Sequence, residues 1–243
     1  MRSTRVFWPF SAGFFLLMAA CGGTTPPPAT PDAEQSSPQS ATAPAILPQV
    51  SQELGSINQD AVEKKFDRLQ GKIQGCFKSG TSRIEYLDGD VAVFMRISLE
   101  GHVQYTYFEN TDVGDRETER CILEVLKAAD WPKPQGGEAE VRKSFGFEAA
   151  GDVRAPTAWN SDKAAAALGK AQGQIAKCKG DVTGSFKGAA YVQADGKRGK
   201  VLAAGLGAPS KDGAEKIDCL LGVVGDLELP NPGSYPAKFS FTL

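Results

Sequence analysis

Two stretches decide the architecture: CILEVLKAADWPKP at Cys121–Pro134 and CLLGVVGDLELPNP at Cys219–Pro232. In both, a proline stands 11 residues after the cysteine and a second follows two residues later. Between them lies an apolar helical run: Ile122, Val125 and Leu126, then Leu220, Val223 and Val224. Proline lacks the N–H that a helix needs, so Pro-x-Pro ends each helix and extends the chain. Each stretch leads to alternating phenylalanines, Phe145 and Phe147 or Phe239 and Phe241, at strand period. A pattern written twice at this spacing is an internal repeat.

Upstream, Val62, Phe66, Leu69, Ile73 and Cys76 form a helical stripe, matched by Ala164, Leu168, Ala171, Ile175 and Cys178. Asn58 and Asn160 precede the stripes as expected N-caps, with Ile57 and Trp159 at the staple position before them. Asp60 and Asp162 place negative charge at the positive end of the helix. The offset between copies falls from 102 at the first cysteine pair to 98 at the second, so the second copy lacks four residues, placed around Thr81–Asp88. Val91–Leu99 and Val103–Tyr107 read as strands about the Glu100-Gly101 turn; Ala189–Ala194 and Val201–Leu206 are their counterparts. The second pair is rich in Ala and Gly, which predicts a poorer core. Each copy thus reads helix, strand, strand, helix, strand. That is an α+β fold of two tandem two-layer domains, each with an antiparallel sheet.

Cys21 aside, four cysteines remain, two per copy, and four allow three pairings. The pairing that respects the duplication is Cys76–Cys121 with Cys178–Cys219. Each loop of about 45 residues would stabilise its domain by roughly 3–4 kcal/mol. No CxxC or His cluster points to zinc.

The expected organisation has five parts. Residues 1–20 carry Arg2 and Arg5 before an apolar run, the form of a signal peptide. Cys21 after Leu-Met-Ala-Ala resembles a bacterial lipobox, which implies a lipidated N-terminus and a membrane anchor. Residues 21–56 hold seven of the 15 prolines and few large apolar side chains, a disordered tether. Repeats follow at 57–149 and 159–243, joined by a linker at 150–158. Gly22 after Cys21 favours the outer membrane, facing the periplasm.

The formal net charge of −2 gives no reason to expect a nucleic-acid partner. No GxSxG, HExxH, Walker A or EF-hand pattern occurs, so no catalytic residue, metal site or cofactor is expected. The lone His102 sits at a strand start after a turn. Asp112, Asp115, Glu117 and Glu119 form an acidic cluster that could hold calcium, but Asp115, Glu117 and Glu119 read as the first turn of the second helix, where carboxylates suit the dipole. Lys197, Arg198 and Lys200 form a solvated turn whose charge suits peptidoglycan or anionic lipid only weakly.

IQGCF at Ile73–Phe77, GDVAVFMRISLEGHV at Gly89–Val103 and ERCILEVLKAADWPKPQGG at Glu119–Gly137 together resemble the TonB C-terminal domain group, in its AgmX/PglI C-terminal branch. The second copy matches in outline. The resemblance implies a non-enzymatic envelope module that binds a protein by accepting a strand at a sheet edge. The final strand of the first copy is then the candidate edge, with Phe145 and Phe147 as anchors and Arg142, Ser144 and Gly146 facing away. A TonB transducer has an N-terminal membrane helix where this chain has a signal sequence, so a transport-driving role is not expected. The alternatives are a periplasmic spacer or assembly factor and, third, a cell-envelope enzyme.

Overall fold

The structure, a computed structural model, describes residues 54–243. The signal peptide, Cys21 and the tether as far as residue 53 lie outside the described residues. Among the described residues no helix is long and apolar enough to cross a membrane.

The described residues form one compact unit, with a mixed α+β architecture and mainly antiparallel sheets. The first half contains α1 (Gln59–Thr81), β1 (Gly89–Ile97), β2 (Val103–Thr111), α2 (Arg116–Lys127) and β3 (Ala139–Phe147). Its sheet runs β2-β1-β3. The second half contains β4 (Thr157–Trp159), α3 (Asp162–Lys179), β5 (Lys187–Asp195), β6 (Arg198–Gly207), α4 (Lys211–Ala214), α5 (Ile217–Gly225), β7 (Leu229–Pro230) and β8 (Ala237–Thr242). Its sheet runs β4-β8-β5-β6-β7. The first half therefore follows the expected order, while the second adds β4, α4 and β7.

The helical stripes explain the packing. Val62, Phe66, Leu69, Ile73 and Cys76 of α1 are all buried, against the inward face of β1: Val91, Val93, Met95 and Ile97. Asn58 caps α1, its side chain accepting from the Ala61 N–H at 2.9 Å. Asn160 does not act as a cap. Ser161 occupies that position, and the Asn160 amide donates instead to Asp162 at 3.0 Å. In α2 the cap is Asp115, which accepts from the Thr118 N–H at 3.2 Å.

Both expected disulfides are present. Cys76–Cys121 joins α1 to α2, and Cys178–Cys219 joins α3 to α5, with Cα separations of 5.7 and 5.6 Å. Gly55 and Ser56, assigned to the tether by composition, belong to the fold: their N–H groups donate to Glu138 O and Gln135 O at 2.8 and 2.9 Å. The Gln135 N–H donates back to Ser56 O at 2.8 Å, and these three backbone hydrogen bonds outweigh the local composition there.

The halves interlock through the alternation of their strands. Val93, Met95 and Phe108 lie in the core of the first half, whereas their neighbours Phe94 and Tyr107 are buried in the core of the second. Tyr191 of β5 goes the other way, into the first core, where its hydroxyl lies 3.2 Å from an Asp88 carboxylate oxygen. Lys238 binds the same oxygen at 2.6 Å. Arg116 and Arg120 both reach Asp218, at 2.9 and 3.1 Å, and the Ala208 N–H donates to Phe108 O at 2.7 Å. The small residues of β6, expected to weaken the second core, are where the first half makes contact. A Cβ on Gly205 would run into the Glu119 carboxylate, and one on Gly207 would sit 2.9 Å from the Asn110 backbone.

Candidate partner-binding edge

β3 pairs with β1 and, among the described residues, has no strand on its other side. Which of its backbone groups are free follows from β1. The Asp90 carbonyl accepts from the Asp112 N–H at 3.0 Å, and the Asp90 N–H donates to the Asp112 side chain, so Asp90 faces β2. In an antiparallel ladder, facing alternates along each strand. Val91 therefore faces β3, and its partner Phe145 faces back. By the same alternation the N–H and C=O groups of Arg142, Ser144 and Gly146 point away from the sheet. Among the described residues, Gly55 meets this outer side at Glu138, its N–H donating to the Glu138 carbonyl. An edge of this kind is a template for another strand.

The side chains on the edge are placed by their neighbours. Arg142 lies over the Phe94 ring, 4.6 Å from its centroid, and pairs with Glu109 and Glu140 at 3.0 and 3.1 Å. Lys143 pairs with Glu63 at 2.5 Å. Phe147 stacks on Phe77 with ring centroids 4.6 Å apart, so the pair anchors β3 to α1 as expected. Phe145 and Phe147 nevertheless remain partly exposed. They line a cleft of about 210 Å³ between α1 and β3, with Phe66, Ile73 and Lys143. Gly146, one of the three outward residues, lines the same cleft.

The second half supplies the comparison. Phe239 and Phe241 are buried there, 1% and 5% exposed. The outer side of β8 is occupied by β4, which runs parallel to it with Thr157 opposite Ala237 and Trp159 opposite Phe239. The Thr157 N–H donates to Pro236 O at 2.9 Å, so Pro236, just before β8, and Lys238 and Ser240 within it turn their backbone groups outward. Matched on the phenylalanines, these are the counterparts of Arg142, Ser144 and Gly146. The Trp159 and Phe239 ring centroids lie 6.4 Å apart. Among the described residues, the same edge is thus covered by the chain's own strand in one copy and has no strand beside it in the other.

The remaining candidates do not converge. His102 is exposed, 3.5 Å from Asp130. The acidic cluster is dispersed: Asp112 binds the Asp90 N–H, Asp115 and Glu117 both pair with Arg83, and Glu119 turns inward. Among the described residues no group of three His, Cys, Asp or Glu is placed to hold a metal ion.

Glu119 lies in the first turn of α2, as its sequence position predicts, but it is fully buried against β6 rather than solvated. Thr111 Oγ1 donates to one carboxylate oxygen at 2.8 Å and the Leu206 N–H to the other at 3.2 Å. Burial pushes its pKa up to about 7, against the opposing pull of the Thr111 hydroxyl, Arg116 and the Leu206 N–H. No signal within the first copy marks this residue, because its cover comes from the second. No family model, no curated protein and no solved structure matches this chain.

Proposed function

We propose that this chain is a non-enzymatic bacterial envelope lipoprotein that holds a partner protein by taking up one of its strands along β3. In this reading Cys21 carries the lipid anchor, residues 22–53 are the reach between membrane and fold, and the two halves are TonB C-terminal-like copies coupled into one body. The anchor most naturally lies in the outer membrane, facing the periplasm.

One observation carries the binding reading. Among the described residues, the outward backbone groups of Arg142, Ser144 and Gly146 have no strand beside them, while the matching groups in the second copy are covered by β4. Main-chain groups at such an edge provide affinity, and side pockets at alternate positions provide selectivity. The cleft beside Phe145 and Phe147 is such a pocket. A partner segment should therefore be extended and carry a large apolar side chain.

Proline cannot donate to a ladder, so Ser144→Pro and Gly146→Pro each remove an outward N–H. Capture of the partner from envelope extract should fall at least about tenfold, equivalent to roughly 1.4 kcal/mol, with the unfolding temperature nearly unchanged. Full capture by a stable Gly146→Pro protein would move the weight to a spacer whose halves chiefly bind each other.

A further inference from the structure

The two edges differ in one respect that the duplication makes interpretable. Both end in Phe-x-Phe, and both turn alternate backbone groups outward from the sheet. On β8 those groups are met by a three-residue strand from the connector between the copies. β4 is short, and Thr157 and Ala158 are exposed. Its hold on the sheet consists of a few backbone hydrogen bonds and the Trp159 indole against Phe239. A bundle of this size lies at the low end of local stability, where segments open without global unfolding.

We propose that Thr157–Trp159 is a displaceable strap that keeps the strand-accepting edge of the second copy closed, leaving the first copy alone to receive a partner. The occupant of the second edge is thus a segment of the chain itself, bound in parallel with an aromatic residue at Phe239. A tethered segment acts at an effective concentration of about millimolar. A free strand of similar intrinsic affinity must compete with it, so the second edge stays silent unless the strap is lifted. Lifting it adds a second site of the same chemistry and makes the protein bivalent. The proposal extends the strand-addition reading but does not stand or fall with β3.

The test uses the full chain and a blocked peptide, DVRAPTAWN, equal to Asp152–Asn160. Thr157→Pro removes the N–H given to Pro236, and Trp159→Ala removes the indole; the double variant is the unstrapped protein. Trp159→Ala alone retains the backbone of β4 and serves as the milder variant if the double variant does not fold. Peptide is titrated while the backbone amides of Lys238 and Ser240 are followed by NMR. The unstrapped protein should bind the peptide saturably at β8, about tenfold or more tighter than wild type, with Trp159→Ala in between. No peptide binding at β8 by a folded unstrapped variant, or equal binding there by wild type, overturns the proposal. The amides of Ser144 and Gly146, read in the same spectra, report the first edge separately. Silence there with binding at β8 would count against the proposed role of β3 and leave the strap standing.

Discussion

Glu119 makes the stability of this fold depend on pH in an unusual direction. The carboxyl is fully buried where α2 of the first half meets β6 of the second. Each oxygen receives one hydrogen bond, from Thr111 or from Leu206. Arg116 favours its charge and Asp115 opposes it, but burial dominates and raises the pKa from 4.5 to about 7. Between these values the folded state binds a proton that the unfolded state has released, so stability falls as pH rises. The favourable contribution is complete below about pH 4.5 and is lost as pH passes through about 7. That gap, at about 1.4 kcal/mol per pH unit, amounts to about 3 kcal/mol. The depressed carboxyls Asp218 and Glu138, held down by Arg116 and Arg96 among others, act oppositely and below this window. Urea unfolding at pH 5, 6, 7 and 8 should therefore show stability falling by about 2.5 kcal/mol for wild type. Glu119→Gln, which cannot ionise, should be flat over the same range. Equal wild-type stability at pH 5 and pH 8, or the same slope in Glu119→Gln, would refute the reasoning.

Other perturbations have defined outcomes. Gly205→Ala drives a methyl group into the Glu119 carboxylate and should cost about 1–3 kcal/mol by overpacking, measured by urea unfolding. Replacing Cys76 and Cys121 together by Ser opens a loop of sequence separation 45 and should cost about 4 kcal/mol; thermal unfolding of the reduced wild type provides the reference. Growth with a labelled fatty acid should tag the wild type and not Cys21→Ser. Protease should cut between Ala149 and Val153, yet the two fragments should co-elute under native conditions, because the Asp218 and Asp88 ion pairs bridge them.

Short-range signals were legible in the sequence. The stripe from Val62 to Cys76 and the cysteine pairing reflect contacts within one copy, and the structure has both; α2 and α5, by contrast, end at Lys127 and Gly225, before Pro132 and Pro230 are reached. Phe145 and Phe147 fell on the strand predicted for them. What escaped depends on contacts between copies. Glu119 looks like any first-turn acid until Gly205 lies over it, and the Gly-rich β6 looks like a weak strand until its role as a contact surface is seen. β4 was hidden for another reason. Three residues after Pro156 are too few to show alternation, and only a partner strand makes them a strand. Asn160 shows the limit of capping rules, since the neighbouring Asp162 takes up its amide.

The central claim concerns three backbone positions, and amide hydrogen exchange reads them individually. Without a partner the N–H groups of Arg142, Ser144 and Gly146 should exchange fast, while those of Val141, Lys143 and Phe145, which face β1, stay protected. With the captured partner bound, the three outward amides should slow by roughly a hundredfold or more, the range expected when an open backbone group joins a ladder. Protection that rises elsewhere while Arg142, Ser144 and Gly146 remain fast would contradict strand addition at β3.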